Sequence, residues 1–557
     1  MDRRTLFAKL LNRQWQESAM PMSPPTDAAG LTPYGGAWGF EQAAHLLRRS
    51  MFGPNLAQIQ WSVEKGLNAT VDKLFEKITL PEPPLNSYYS SDPNVPVGAT
   101  WIRAPYNAAT LVKEISYREL SLFGWTFNLI LKEGMSIQEK LTLFWHNHFA
   151  INEIEDPKYL YRYITLLRSN AWGNFRQLTK DITIDPAMLR FLDGHRNTKS
   201  APNENYAREL LELFTIGKGK LVQEGDYTNY TEQDVKEIAK IMSGWKEDGF
   251  TMDNGGVIEV KFDPTRHDTS TKKLSHRFNN KEIPNMGDKE YAYVIDLIFQ
   301  KKETARHICR RLYKWFVFYD ITAETEANVI DPMAQILMEN NFEIKPALQA
   351  LLKSEHFYNK ANVGAMIKHP IDLVMSVLKP MHVTISSELD KLYNSGYALY
   401  GACKLMQMKY YFVPQVAGWS AYYLGPGYYR NWVNASTLPL RMKFADAVAS
   451  DGYSAFNGNG KKMVADVLGF VAKLEFPDDP NVVVESFTRA LLPWALPQRE
   501  LDILKGILLG GLPDYEWSVE YNAYAGNVTN SKLATAIANK LKALLRAIYS
   551  MAAFQLH

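Results

Sequence analysis

Between residues 110 and 250, apolar side chains return every three or four positions, and that spacing decides the fold class before any motif is considered. Ile137, Leu141, Trp145 and His148 form one such stripe, and Val235, Ile238, Met242 and Trp245 form another. An α-helix turns once every 3.6 residues, so each stripe is one helix face that must be covered by a neighbour. Ser136 followed by Glu139 reads as a capping box for the first helix, and Thr231 with Asp234 opens the second in the same way. Helical spacing also covers 40–49, 288–300, 304–318, 332–357, 364–381, 476–491, 497–509 and 531–552.

Other stretches interrupt the helical pattern. Residues 15–38 and 80–108 are rich in Pro, Gly, Ser and Asn and read as long connections. Val257, Glu259 and Lys261 alternate with Ile258, Val260 and Phe262, which predicts a short strand in a small hairpin, and 382–386 is a weaker strand candidate. The glycines and aromatics of 411–434 predict a folded loop with close backbone approaches. The expected protein is therefore mainly α: a large helical protein with a small β-hairpin element and long irregular loops. An extended segment over 1–39 precedes a main helical domain over 40–380, with a C-terminal helical region over 381–557 packed on it.

Composition narrows the function classes. The chain has 557 residues, with 62 Lys and Arg against 60 Asp and Glu, and this balance removes the charge argument for a nucleic-acid partner. Two cysteines, Cys309 and Cys403, exclude a disulfide scaffold, a thiolate zinc cluster and an iron–sulfur cage. The apolar runs fall short of the roughly 18 residues that mark a transmembrane helix. Near the start, Lys9 interrupts the apolar run before it reaches signal-peptide length, which makes the cytoplasm the default expectation.

Three polar segments could carry chemistry. In LFWHNHFA, His146 and His148 suggest a metal pair, but helical residues two apart point about 200° away from each other. The reading is then one packed histidine with one exposed, or one ligand supported by a second histidine. In DGHRNTKSAPNENYARELLELF, Asp193, His195, Asn197, Asn203, Glu204 and Asn205 crowd a helix start. Asn203 is placed to cap that helix, while Asn205, Glu209 and Glu212 share one face and Tyr206, Leu210 and Leu213 share another. Arg208 stands four residues from both Glu204 and Glu212, so an exposed charge ladder competes with a buried carboxylate cluster. The third segment, FDPTRHDTSTKKLSH, follows the strand and offers Asp263, His267, Asp268 and His276, with Lys272 or Lys273 available to an anion. A polar surface turn is its plain alternative.

Two further runs have plainer readings. The helix ARHICRRLYKWF carries a core face and a solvated basic side, and Cys309 on it reads as a packed residue. The aromatics of 408–432 could stack on sugar or nucleobase rings, with core packing as the alternative.

Together, LFWHNHF, DPAMLRFLDGHRNTKSAPNENYARELLELFTIG, YTEQDVKEIAKIMSGW, HDTSTK, HICRRLYKWFV, FVPQVAGW, NWVNASTLPLRMKFA and the late AAFQ resemble the large bacterial family catalogued as domain of unknown function 1800, over residues 40–555. The resemblance implies a mainly helical bacterial protein, often encoded beside a companion family related to sulfatases and alkaline phosphatases, and often exported. The N-terminus here departs from that pattern because it lacks a clean apolar signal region. The recurrent residues fall on His146, His148, Asp193, Asn203, Glu204, Asn205, Arg208, Glu209, His267, Asp268 and Lys272, and the resemblance assigns them no roles.

The working expectation is a metal-dependent hydrolase whose site joins 137–149, 193–212 and 263–272. His148, Asp193, Glu209, His267 and Asp268 would hold a divalent ion (Zn, Fe, Mn or Ca), with Glu209 or Glu204 as general base and His146 or His267 as the alternative. An iron-dependent oxidoreductase, a non-catalytic helical scaffold that binds a polymer or protein through the aromatic loop, and a structural calcium loop stay open beside it. The expected partners are a small-molecule or polymer substrate and a companion protein encoded nearby, with no nucleic acid and no transmembrane helix.

Overall fold

The computed structural model describes residues 30–87, 92, 94–250, 257–425, 427–455, 458 and 461–557. Most of the extended segment expected over 1–39 therefore lies outside the described residues, as do parts of the 80–108 connection. The rest is mainly helical, with three two-stranded antiparallel sheets and long loops.

Short-range chemistry sets the helix starts. Asp156, Asp185 and Asp479 each precede a proline, and each accepts a hydrogen bond from a backbone N–H of the first turn. Proline at the first helical position forfeits no hydrogen bond there, so an Asp-Pro pair starts a helix at little cost. Asn55 with Gln58, and Thr231 with Asp234, form complete capping boxes at Leu56–Leu74 and Glu232–Ile241. The expected Ser136–Glu139 box does not form. Ser136 Oγ accepts instead from the Gln138 N–H at 3.0 Å, and Glu139 turns to Arg168, a buried countercharge that outweighs a local cap.

The hairpin lies where the alternation predicts it. Trp245–Asp248 pairs with Glu259–Phe262, Trp245 facing Phe262. Residues 382–386 form no strand: Val383 and Ile385 rest on the helical core, and among the described residues no strand pairs with them. The 332–357 pattern divides into Asp331–Glu339 and Ile344–Leu352, because Asn341 and Phe342 adopt left-handed backbone between them. Several helices have no counterpart in the sequence reading, among them Leu56–Leu74, Leu389–Leu405, Thr437–Ala449 and Asp514–Ala525.

Leu389–Leu405 packs along Leu111–Lys132, and two glycines permit the approach. A Cβ at Gly396 would lie 2.2 Å from the Gly124 carbonyl oxygen, and one at Gly124 would lie 2.6 Å from the Tyr393 carbonyl oxygen. Contact this close needs hydrogen on both Cα atoms. The apolar core is continuous from Ala43 to Phe554, with Trp101, Trp145 and Trp517 fully enclosed. Cys309 and Cys403 are both buried and free. Among the described residues, no helix is long and apolar enough to cross a membrane.

Candidate functional site

The segment 137–149 delivers both histidines to the interior. His146 is fully buried, with Nδ1 2.9 Å from Tyr163 Oη and Nε2 accepting the Tyr411 N–H at 3.0 Å. The second contact fixes the tautomer, so Nδ1 carries the hydrogen and neither nitrogen is left for an ion or a proton transfer. Burial lowers its pKa to about 3, which keeps the ring neutral. His148 is equally buried; its Nε2 lies 3.1 Å from the Phe214 carbonyl oxygen, to which it donates, and its ring centroid lies 6.4 Å from that of His307. The expected packed-and-exposed pair is thus two packed histidines, because the short helix Gln138–His148 is buried on every side.

The segment 193–212 spends its polar groups on its own folding. Asn197 donates to the Ala239 carbonyl and accepts from the Asn203 N–H, while Asn203 accepts from the Tyr206 N–H as the expected cap. Asp193 is exposed, in left-handed backbone, 3.4 Å from Arg196. Glu204 is exposed in the first turn. Arg208 ignores Glu204 and Glu212 and forks onto Glu232 at 2.6 and 2.7 Å, so the expected ladder along one helix is replaced by a bridge between two. Glu212 instead accepts from Tyr230 Oη.

Glu209 is half-buried and makes no hydrogen bond or ion pair among the described residues; burial, then Glu212, raises its carboxyl pKa. Glu209→Gln is expected to change the unfolding free energy by no more than about 0.5 kcal/mol in urea titration, as for a half-exposed side chain without partners.

The segment 263–272 ends in a buried triad. His267 Nδ1 donates to the Ser243 carbonyl at 2.9 Å and Nε2 faces Glu290 Oε1 at 3.1 Å, while Lys272 Nζ reaches Glu290 Oε2 at 2.7 Å. Burial pushes the Glu290 carboxyl up, but His267, Lys272 and the Met286 N–H outweigh it and hold the carboxyl below its ordinary range. Asp268 folds back on Ser270, accepting from its N–H and hydroxyl.

The three segments do meet in pairs. Lys199 N–H donates to the Arg266 carbonyl at 2.7 Å and Arg266 to the His195 carbonyl at 2.6 Å, which joins the second segment to the third. His148 joins the first to the second. The contacts are carried by carbonyls rather than by convergent ligands. Among the described residues, no three His, Cys, Asp or Glu side chains gather so that they could hold a metal ion.

A different place concentrates titratable groups in a concave space. An open groove of about 310 Å³ runs between the end of Leu56–Leu74, the end of Leu111–Lys132 and the start of Gln138–His148. Gln138 ties its walls together, accepting from the Thr79 N–H at 3.0 Å and donating to the Thr79 carbonyl at 2.8 Å. Lys73, Lys77 and Lys132 line it together with Glu76, Glu133 and Glu139, and Lys73 pairs with Glu76 at 2.6 Å. Arg168, itself fully buried, forks onto Glu139 at 2.7 and 3.0 Å. Glu133 has no such cation on its carboxyl. Its Oε1 accepts the Glu139 N–H at 2.9 Å, and its Oε2 is closed off without a partner.

Burial first, and the neighbouring Glu139 second, push the Glu133 carboxyl up to about 8, against the pull of Lys379. Burial lowers the Lys379 ammonium, whose Nζ donates to the Ile130 and Glu133 carbonyls at 3.3 and 2.8 Å at the end of the helix. A carboxyl of this kind keeps its proton at neutral pH and can act as a hydrogen-bond donor or an acid. Sequence reasoning missed these residues: Glu139 was explained locally as a cap, and nothing near it in the chain announces Arg168 or Lys379.

Comparison with curated proteins and with solved structures finds no match. A family model described as a protein of unknown function, DUF1800, matches residues 45–553, a span that holds all three polar segments and the residues of the groove, and the chain therefore belongs to the DUF1800 family.

Proposed function

We propose that this protein is a hydrolase of extended polar substrates, working by general acid catalysis from Glu133 in the groove. The observation that carries the reading is the Glu133 carboxyl, held in its protonated form by burial and by Glu139 on the wall of an open groove. In the proposed step, substrate entry uncovers the enclosed Oε2 of Glu133, which gives its proton to the leaving oxygen as the C–O bond breaks. Water forms the new C–O bond, and the proton it releases returns to Glu133. Glu139, fixed by Arg168, favours that return because two neighbouring carboxylates repel. Lys77 and Lys132 suit a chain rich in hydroxyl or carboxylate groups. This reading keeps hydrolysis from the sequence expectation and gives the acid role to a carboxylic acid rather than to a metal-bound water.

The test is a screen of 4-nitrophenyl glycosides and carboxyl esters with the wild type and Glu133→Gln. The variant is expected to lose 10²- to 10⁴-fold in kcat, the usual span for removing a general acid, and the wild-type rate is expected to fall as pH rises through the Glu133 pKa. An active wild type matched by its Gln variant would sink the proposal. Metal analysis supplies the competing outcome: stoichiometric Zn, Fe, Mn or Ca that is lost in a folded Glu209→Gln variant would return the chemistry to the 193–212 segment.

A second prediction needs no substrate. Below pH 4.5, the ordinary Glu value, Glu133 is protonated whether the chain is folded or not; above it, folding must retain a proton that the unfolded chain releases. The Glu133 contribution to stability therefore declines as pH rises from about 4.5 to about 8, and Glu133→Gln is expected to be more stable than the wild type by about 2 kcal/mol at pH 8 while converging on it at pH 4. Urea titrations at both pH values measure the difference. A stabilising change at a site of chemistry is the trade expected where function holds a group in an unfavourable state.

A further inference from the structure

Acidic and basic residues balance over the whole chain but not along it. Residues 391–445 contain six Lys and Arg and no Asp or Glu. Lys391 pairs with Glu388 and Arg441 is buried, while Lys404, Arg430 and Lys443 reach the surface. Acids of other elements approach this stretch at its edges, Glu119 and Glu153 near Lys409 and Asp320 near Tyr319. Arg430 itself turns to a neutral neighbour, its Nε donating to Tyr429 Oη at 3.0 Å. The stretch therefore presents a basic surface on a chain whose charges otherwise cancel.

The same stretch leaves apolar side chains in the open. Tyr428–Trp432 is a tight helical turn that buries Tyr429 and Trp432 and leaves Tyr428 and Arg430 exposed. Leu424 before the turn and Leu438 after it are exposed as well, and Leu405 is 62% exposed. Asn434 joins these pieces into one rim. Its side-chain amide donates to Gln407 Oε1 at 3.3 Å and to the Asn431 carbonyl at 3.0 Å, and its carbonyl accepts the Leu438 N–H at 2.9 Å. The end of Leu389–Leu405, the turn and the start of Thr437–Ala449 are thereby tied together. Water answers the cations of this rim but not its leucines. A soluble anionic polymer has the same shortcoming, whereas a bilayer surface offers anionic headgroups above an apolar layer and answers both.

We infer that this rim docks on an anionic lipid surface, Leu424, Tyr428 and Leu438 entering the interfacial layer while Lys404, Arg430 and Lys443 meet the headgroup phosphates. The rim shares no residue with the groove, and the inference does not depend on the chemistry proposed there. The test is co-sedimentation of the full chain with phosphatidylcholine vesicles, with and without about 30 mol% phosphatidylglycerol. Binding is expected to be at least about tenfold tighter to the anionic vesicles, and to weaken about tenfold when NaCl is raised to about 0.5 M. Arg430→Gln is expected to weaken it about fivefold, and Leu424→Ser combined with Leu438→Ser about tenfold. These side chains are exposed, and a thermal unfolding curve for each variant separates a lost contact from a lost fold. Binding to neither vesicle, equal binding to both, or a folded leucine variant that binds like the wild type overturns the inference. In the last case the rim reads charge alone, and soluble polygalacturonate would then bind as tightly as the anionic vesicles.

Discussion

Replacing Asp372 by asparagine is expected to cost about 3–5 kcal/mol of stability, the range found when one partner of a buried ion pair is removed. Asp372 is 3% exposed and stands in the first turn of Pro370–Leu378. Lys140 Nζ lies 2.5 Å from its Oδ1, and His369 Nε2 and His557 Nε2 lie 3.0 and 3.9 Å from its Oδ2. Arg49 adds a further buried cation, whose pKa burial pulls down to about 9. One carboxylate thus answers two cations taken out of water, Lys140 and Arg49, beside two histidines whose pKa burial lowers, and asparagine would leave Lys140 with a neutral partner in a site that cannot hydrate it.

The pH dependence has a definite sign. Burial pushes the Asp372 carboxyl up, but His369, Lys140 and His557 overcome it and hold the group far below its ordinary value of 3.8. Its contribution is therefore fully present above that value and is lost as pH falls toward the folded pKa. Denaturant titrations at pH 7 and at pH 3 should show a large gap between wild type and Asp372→Asn that narrows in acid. A gap of similar size at both pH values would mean that shape rather than charge is what the substitution disturbs.

The second large effect tests the groove through its support. Arg168 is fully buried, forks onto Glu139 and lies over the Trp125 ring at 5.0 Å. Arg168→Met would leave Glu139 uncompensated beside Glu133, and a loss of about 3–5 kcal/mol is expected. Adding Glu139→Gln removes the stranded charge and should recover a large part of that loss, because a neutral pair of similar volume escapes the desolvation penalty. Additive losses in the double variant would show that the fork is not the interaction that matters. The single variant should also strengthen the hold of Glu133 on its proton, since Glu139 would act on it with its full charge. Its pH–stability curve should shift accordingly relative to Glu133→Gln.

Much of the architecture was legible in the residues because helix formation rests on short-range spacing. The stripes at 137–148 and 235–242, the Thr231 and Asn203 caps and the 257–262 alternation each involve residues within one or two turns of chain, and each has its structural counterpart, whereas Trp245, expected on the second stripe, lies beyond the helix end in the strand Trp245–Asp248. The helix Leu389–Leu405 escaped the reading because its packing against Leu111–Lys132 depends on Gly124 and Gly396, and glycines at helix–helix contacts look like breakers in a linear pattern. Residues 382–386 show the converse: alternation is as compatible with an extended chain lying on helices as with a strand.

The polar residues divide along the same line. Composition and spacing established a mainly helical chain with no long apolar span, and located the segments richest in His, Asp, Asn and Glu. What those groups do was decided by partners distant in sequence. Tyr411 closes His146, Glu290 takes His267 and Lys272, Glu232 takes Arg208, and Arg168 takes Glu139. Local periodicity determines which face of a helix is buried, because that requires only the helix's own geometry. Whether a buried charge is answered, and hence whether Glu133 keeps its proton, depends on which other elements arrive beside it, and that is a property of the packed molecule alone.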